Sequence, residues 1–174
     1  LLPGRPDAAR VFDAIALFRP TVFFGLPTLY SAMVHAPGAF EADTLSLRLC
    51  ISAAEVLSEV VAARWRRLTG LDIVEGLGST AVLHIYLSNT PEARRLGAAG
   101  RCVPGYEAVL RDSDGCAVAD GEEGILWVRG HSNAPGYWNR PDQTAETMRE
   151  DGWICTGDRF LRDAEGSTIS AAPT

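Results

Sequence analysis

Apolar residues along the first third of the chain recur alternately at helical and at strand spacing. Between Pro6 and Phe18, the residues Val11, Phe12, Ile15 and Phe18 share one helical face, and Arg19-Pro20 stops the element. TVFFG then supplies a short, wholly apolar strand. Pro27 stands where a second helix can start, and Leu29, Tyr30 and Met33 carry it toward His35. After the turn-rich APGAFEADT, the stretch LSLRLCIS reads as a buried strand. Leu57, Val60, Val61, Trp65 and Leu68 form the apolar stripe of a third helix, with Arg64, Arg66 and Arg67 on its solvated face. Gly70 ends that helix and LDIVEGLG follows as a strand. Strand and helix in alternation predict an α/β unit, and the connection type predicts parallel pairing.

From about Gly97 the texture changes to short β segments punctuated by Gly, Pro and Asp. YEAVLRD and ILWVRG read as strands, with turns at Asp114-Gly115 and Asp120-Gly121 and room for a short strand from Cys116 to Val118. A short helix is expected from Pro141 to Met148, and DGWICTGDRFLRDAEG returns to β structure. The pattern sets a boundary near residues 94 to 100. It divides an α/β half, 1–96, from a β-rich part, 97–174, that is antiparallel or barrel-like.

Composition narrows the function classes. With 174 residues, 47% of them hydrophobic and 22% charged, the chain can bury a core of its own. A net charge of −6 gives no field that would draw it onto nucleic acid or an anionic membrane, while leaving room for a local nucleotide site. Cys50, Cys102, Cys116 and Cys155 are widely spaced, which predicts reduced thiols and a cytoplasmic protein. With His35, His84 and His131 also off ligand spacing, no metal site is expected. No apolar run reaches a membrane span, and the opening LLPGRPDAARV lacks the layout of a signal peptide. The missing initiator Met and an opening inside a loop predict a piece of a longer chain.

The local chemistry centres on GLGST. Gly76, Gly78, Ser79 and Thr80 follow a strand, where backbone N–H groups and hydroxyls can face phosphate oxygens; an ordinary glycine turn is the other reading. The GK[ST] of a P-loop and the third glycine of a dinucleotide fingerprint are both missing. His84, four residues after Thr80, serves either the core or a ligand. Asp158 in TGD either accepts hydrogen bonds from a ribose diol or caps its own turn. No GxSxG occurs, which argues against an acyl-enzyme hydrolase.

Four blocks in order, PTVFFGLPTLYSAM, SAAEVLS, GLGSTAVLHIYLSN and GYWNRPDQTAETMREDGWICTGD, give the chain its resemblance to the adenylate-forming superfamily. That superfamily contains acyl- and aryl-CoA synthetases, luciferases and peptide-synthetase adenylation domains, and the match is strongest with benzoate- and hydroxybenzoate-CoA ligases. The resemblance implies part of the large domain of that fold, an α/β layered unit followed by a small antiparallel β-barrel-like unit. It implies a ligase that uses ATP, Mg2+ and coenzyme A to convert a small aryl carboxylate to an acyl-AMP and then a thioester. By the same resemblance Ser52, Ala53, Ala54 and Glu55 line an adenine site, with Glu75, Gly76 and Leu77 continuing its wall. Thr80, the catalytic candidate, contacts the α-phosphate, and Asp158 holds the ribose hydroxyls. Phe24, Gly25, Gly76, Gly78 and His84 line the aryl pocket, although Phe24 and Tyr30 also read as core residues.

The chain departs from that pattern in three places. Ala81 stands where the family carries a magnesium-binding Glu, and a methyl group cannot coordinate the ion. The upstream phosphate loop, the hinge beyond TGD and the small C-terminal domain with its lysine are missing, and STISAAPT is an atypical tail. These departures predict a fragment or shortened relative of an aryl-CoA ligase that is inactive alone. The alternatives are a non-catalytic acyl- or nucleotide-binding module and a subunit needing a complementary polypeptide. Exposed core surface would then favour self-association or a partner.

Overall fold

The first helix begins where Asp7 accepts the Ala9 N–H at 3.0 Å, and it runs as α1 (Ala8–Phe18). The computed structural model describes residues 7–164 and 168–170, so Pro6 and most of the STISAAPT tail lie outside the described residues. Two compact units result, one reaching Glu75 and one starting at Gly76. The change of texture read from composition falls at 94 to 100, because composition marks the loss of helices whereas compactness follows strand pairing.

In the first unit, β1 (Val22–Gly25) and β2 (Leu49–Ala53) pair in parallel, from Val22 opposite Leu49 to Gly25 opposite Ser52. β3 (Ile73–Gly78) follows β2 in the strand order. Between the strands run α2 (Pro27–His35), with Pro27 in its first turn, and α3 (Glu59–Thr69). Gly70, at φ 75°, closes α3 by donating its N–H to the Arg66 carbonyl at 2.8 Å. Arg19 closes α1 in the same left-handed conformation, at φ 48°.

Burial within this unit corrects two details of the apolar stripes. Phe18 is 74% exposed and Val60 is 64% exposed, so α1 buries Val11, Phe12 and Ile15, and α3 buries Val61, Ala62 and Trp65. Both exceptions sit at helix ends. The core gathers on aromatic rings: Tyr30 meets Trp65 edge-on at 4.8 Å, and Phe23 stacks on Trp65 at 6.0 Å. The Tyr30 hydroxyl lies 3.0 Å from the Ile51 carbonyl and 3.3 Å from that of Phe23, tying α2 to both parallel strands. Burial pushes the neighbouring Cys50 thiol up to about 11. Arg66 pairs with Asp72 at 3.1 Å, consistent with a solvated face on α3.

The second unit is antiparallel. Gly76–Gly78 of β3 pair with β4 (Ile85–Ser88) through a bulge, and β4 pairs with β5 (Ala98–Cys102). The ladder continues through β9 (Thr168–Ser170), β8 (Ile154–Arg162), β7 (Glu123–Gly130) and β6 (Tyr106–Arg111). The expected strand at 116 to 118 is reduced to one bridge, Ala117 opposite Arg111. The expected short helix is α4 (Pro141–Thr147). Val82, Tyr86, Leu87, Leu110, Leu126, Val128, Ile154 and Phe160 form the core of this unit. No described helix is long and apolar enough to cross a membrane.

Two glycines of this unit separate backbone strain from crowding. Gly97, at φ 79°, has open space where a Cβ would go, whereas at Gly100, φ 93°, a Cβ would land in the Ser88–Asn89 backbone. Gly97→Ala is expected to destabilise by about 1–2 kcal/mol from the left-handed conformation alone. Gly100→Ala adds the separation of β5 from β4 and is expected to exceed about 3 kcal/mol or prevent folding. Urea denaturation of the two variants checks the order; equal losses would contradict the crowding at Gly100.

Candidate functional site

Each unit presents its own set of candidate residues. In the first, the carboxyl ends of β1 and β2 lie side by side, so Gly25 sits opposite Ser52. A Cβ on Gly25 would lie 3.2 Å from the Tyr30 ring and 3.3 Å from the Phe23 ring, so a larger residue there would push on the aromatic core. Phe24 points away from that core and is 48% exposed, whereas Tyr30 is fully buried. The core reading therefore holds for Tyr30 and not for Phe24.

Beyond Ser52 the chain takes an unusual path. Ala54 has φ 78°, a conformation that residues with a Cβ rarely adopt, and Ala54 and Glu55 are exposed. Leu57, buried just after them, donates its N–H to Glu75 Oε1 at 3.3 Å. Glu75 is itself only 7% exposed, so its carboxylate braces the 53–57 segment from within. The Ser52 hydroxyl is buried and has no hydrogen-bond partner among the described residues. A strained backbone beside an unpaired hydroxyl is the kind of local conflict that collects at binding sites.

In the second unit the glycines of GLGST are required by packing. A Cβ on Gly78 would lie 2.7 Å from the His84 carbonyl carbon and 2.8 Å from Ile85 Cα, so only glycine lets the end of β3 approach the start of β4 this closely. One on Gly76 would meet Ile85 at 3.0 Å. Between the two strands the chain makes one 3-10 turn, Thr80–Val82, and returns through Leu83 at φ 77°. Val82 anchors the turn in the core and leaves Thr80 exposed.

This turn forms one side of a cavity of about 370 Å3 lined by Ser79, Thr80, Ala81, Ala134, Gly136, Tyr137, Trp138, Ile154, Cys155 and Thr156. The Ala81 carbonyl accepts the Ala134 N–H at 2.8 Å, fixing the opposite wall. Tyr137 is placed by its N–H, which donates to Thr144 Oγ1 at 2.9 Å from α4. Trp138 leaves the surface with 90% exposure. His84 is exposed and does not line this cavity, so the turn separates it from Thr80. Leu77, midway along the last pairs of β3, packs against the core.

At TGD the Thr156 hydroxyl accepts the Asp158 N–H at 3.1 Å. Thr156 thus caps the turn, and the Asp158 carboxylate is exposed and accepts no hydrogen bond among the described residues. The hydrogen bond at this turn is made by Thr156, and the Asp158 carboxylate takes no part in capping it. Tyr137, Trp138, Cys155 and Thr156 line the cavity from the GYWNRPDQT and WICTGD blocks, which no spacing rule links to GLGST.

Leu83 is 74% exposed, so its left-handed backbone strain is offset by little burial. Leu83→Gly is expected to stabilise the chain by a few tenths to about 1 kcal/mol, the strain relief exceeding the added entropy of the unfolded chain. Chemical denaturation checks the sign; a loss of stability would mean that Leu83 makes a contact worth more than the strain.

The family model for AMP-binding enzymes matches residues 1–138. The chain is 41% identical over 172 residues to benzoate–CoA ligase of Thauera aromatica, covering 98% of this chain and 32% of that protein. It is 45% identical over 168 residues to 4-hydroxybenzoate–CoA/benzoate–CoA ligase of Rhodopseudomonas palustris, covering 95% of this chain and 31% of that protein. Among solved structures, the anthranilate CoA ligase AuaEII in complex with anthranoyl-AMP superposes with a TM-score of 0.93 at 37% identity, over 98% of this chain and 33% of that one. The chain therefore spans about a third of the length of the relatives it matches. By family model, sequence and fold, it belongs to the AMP-binding, adenylate-forming enzymes and carries part of their α/β large domain.

Proposed function

We propose that this chain is the region of an ATP-dependent aryl-CoA ligase that contacts the nucleotide and a benzoate-type acid, and that alone it binds such ligands without turnover. The observation that carries the reading is the cavity beside Thr80, where exposed hydroxyls meet a site two residues from the open carboxylate of Asp158. The benzoate and hydroxybenzoate specificities of the relatives supply the acid class.

In the full reaction a carboxylate oxygen attacks the α-phosphorus of ATP, giving acyl-AMP and pyrophosphate. The thiol of coenzyme A then attacks the acyl carbon and releases AMP. On this reading Thr80 Oγ donates to an α-phosphate oxygen, Asp158 accepts from the ribose hydroxyls, and Ser52, Ala53, Ala54 and Glu55 flank the adenine. Glu75 holds the last of these segments through Leu57. Gly76 and Leu77 continue the nucleotide wall, while Phe24, Gly25, Gly78 and His84 serve the aryl group. Positioning of this kind accounts for much of the rate in a reaction between two anions.

Magnesium does not fit the residues present. Ala81 offers a methyl group at the cavity wall, and no group of three His, Cys, Asp or Glu side chains gathers for a metal among the described residues. Phosphoryl charge would have to be met in another way, and a binding role follows. A second reading, completion of the site by another polypeptide, is favoured by Leu17 and Phe18, each 74% exposed, and Leu45, 89% exposed.

The test combines turnover with binding. Purified chain and Ala81→Glu are incubated with MgATP, coenzyme A and a panel of benzoates, and acyl-AMP and acyl-CoA are sought by mass spectrometry. Neither protein is expected to give product, while both retain affinity for an aryl-adenylate mimic by calorimetry. Acyl-AMP from the unmodified chain would overturn the binding-only role, and absence of affinity would overturn the ligand assignment. Sedimentation of the chain alone checks whether the exposed apolar residues drive self-association, whereas the second reading predicts association only with a complementary polypeptide.

A further inference from the structure

In the second unit, arginine and tryptophan side chains alternate in space. The Arg149 guanidinium lies 5.4 Å from the centre of the Trp127 ring, and Arg111 lies 5.3 Å from Trp127 and 5.4 Å from Trp153. Arg129 closes the series at 4.9 Å from Trp153. The turn that carries Arg149 is fastened on both sides, since the Arg149 N–H donates to the Trp153 carbonyl at 2.8 Å and the Gly152 N–H to the Arg149 carbonyl at 2.9 Å. Guanidinium groups seated on indole rings are held in place before any ligand arrives.

The three cations differ in what neutralises them. Arg129 donates to both oxygens of Glu107, at 2.7 to 3.0 Å, so its charge is met within the chain. Arg111 and Arg149 have no carboxylate partner among the described residues; beyond the rings, Arg111 reaches the Gly115 carbonyl at 3.4 Å. Both line a cavity of about 370 Å3, and Glu150 and Asp151 line it with them. Neither acid forms an ion pair among the described residues: Asp151 Oδ1 lies 3.4 Å from the Trp153 N–H, and Glu150 is exposed. Two guanidiniums and two carboxylates therefore share one small space without pairing. The rings hold the cations apart from the acids, and the cavity lies among them. It has no lining residue in common with the cavity beside Thr80.

We propose that this cavity binds a small zwitterion, with its oxyanion on Arg111 and Arg149 and its ammonium group toward Glu150 and Asp151. Charge decides the class. A ligand with negative charge alone would meet two carboxylates, and one with positive charge alone would meet two guanidiniums, whereas one charge of each sign finds a complementary partner at either end. The volume lies at the small end of ligand cavities, which fits charges joined by a short linker. Trp127 and Trp153 supply the apolar wall for that linker. A carboxylate and a phosphate both satisfy the guanidinium pair, so the shared chemistry is an oxyanion and an ammonium a few bonds apart.

The test is an NMR titration of the chain followed through its tryptophan indole signals. Two zwitterions, β-alanine and phosphoethanolamine, are compared with propanoate, ethyl phosphate and ethylamine, which keep one charge each. At least one zwitterion is expected to give saturable shifts and to bind about tenfold more tightly than its single-charge counterparts; which one does so tells carboxylate from phosphate. Arg149→Gln is expected to weaken the zwitterion about tenfold, with Arg149→Lys recovering part of the loss. Glu150→Gln changes an exposed side chain with no partner in the fold, so it keeps the test open if Arg149→Gln does not fold. It is expected to weaken the zwitterion about threefold and to leave propanoate and ethyl phosphate equal or tighter. Absence of saturable shifts with both zwitterions, equal binding by a single-charge probe, or a zwitterion affinity unchanged in Glu150→Gln and Arg149→Gln would overturn the proposal. None of these outcomes bears on the nucleotide reading of the cavity beside Thr80.

Discussion

The approach of the Gly78 backbone to His84 and Ile85 leaves no room for a methyl group, and the candidate site of the second unit depends on that approach. Because the two strands come so close, the residues between them cannot form a wide loop. They are forced into one tight turn that must return through a left-handed residue, Leu83. Val82 is driven inward and Thr80 is left outward, so the same backbone constraint that seals the core also presents the hydroxyl. Residues on either side of the turn are thereby coupled: Gly78 sets the strand separation, and Tyr86 packs beneath the turn it creates.

The first unit solves a similar problem with different means. Parallel strands ending at Gly25 and Ser52 need a surface on which their carboxyl ends can open, and the aromatic group of Phe23, Tyr30 and Trp65 supplies the base beneath. The segment after Ser52 is held by an internal carboxylate, Glu75, against Leu57. A buried carboxylate is stable only when its acceptors are used, so this glutamate ties the segment's geometry to the core. The left-handed Ala54 is tolerated between these two fixed points, as strained residues generally are when their neighbours leave no alternative.

The parts legible in the sequence were those that rest on local rules. Pro27 and Gly70 mark helix limits through their own backbone restrictions, and β1, β2, β6 and β7 follow from apolar runs between turn residues. The stripes over-reached at Phe18 and Val60, because helical phase locates a face but does not tell how far along the helix that face stays covered. Ala54 and Leu83 adopt conformations normally marked by glycine, so nothing in their side chains signals the turn. The cap of the TGD turn comes from Thr156, two residues before Asp158, and no local rule distinguishes it from a self-cap by Asp158. Thr80 and His84 looked adjacent by count and are separated by a turn whose handedness no spacing rule supplies. The cavity wall from Ala134 to Trp138 is set by distant pairing and was invisible for that reason.

Position 81 shows how a scaffold and its chemistry can part. The structural duty there is carried by the backbone, whose carbonyl accepts the Ala134 N–H, while the methyl group rests partly against the core. Neither contact depends on which side chain follows Cβ, so alanine keeps the turn, the opposite wall and the cavity in place. Alanine at position 81 therefore keeps the turn and the cavity walls without placing an acid there.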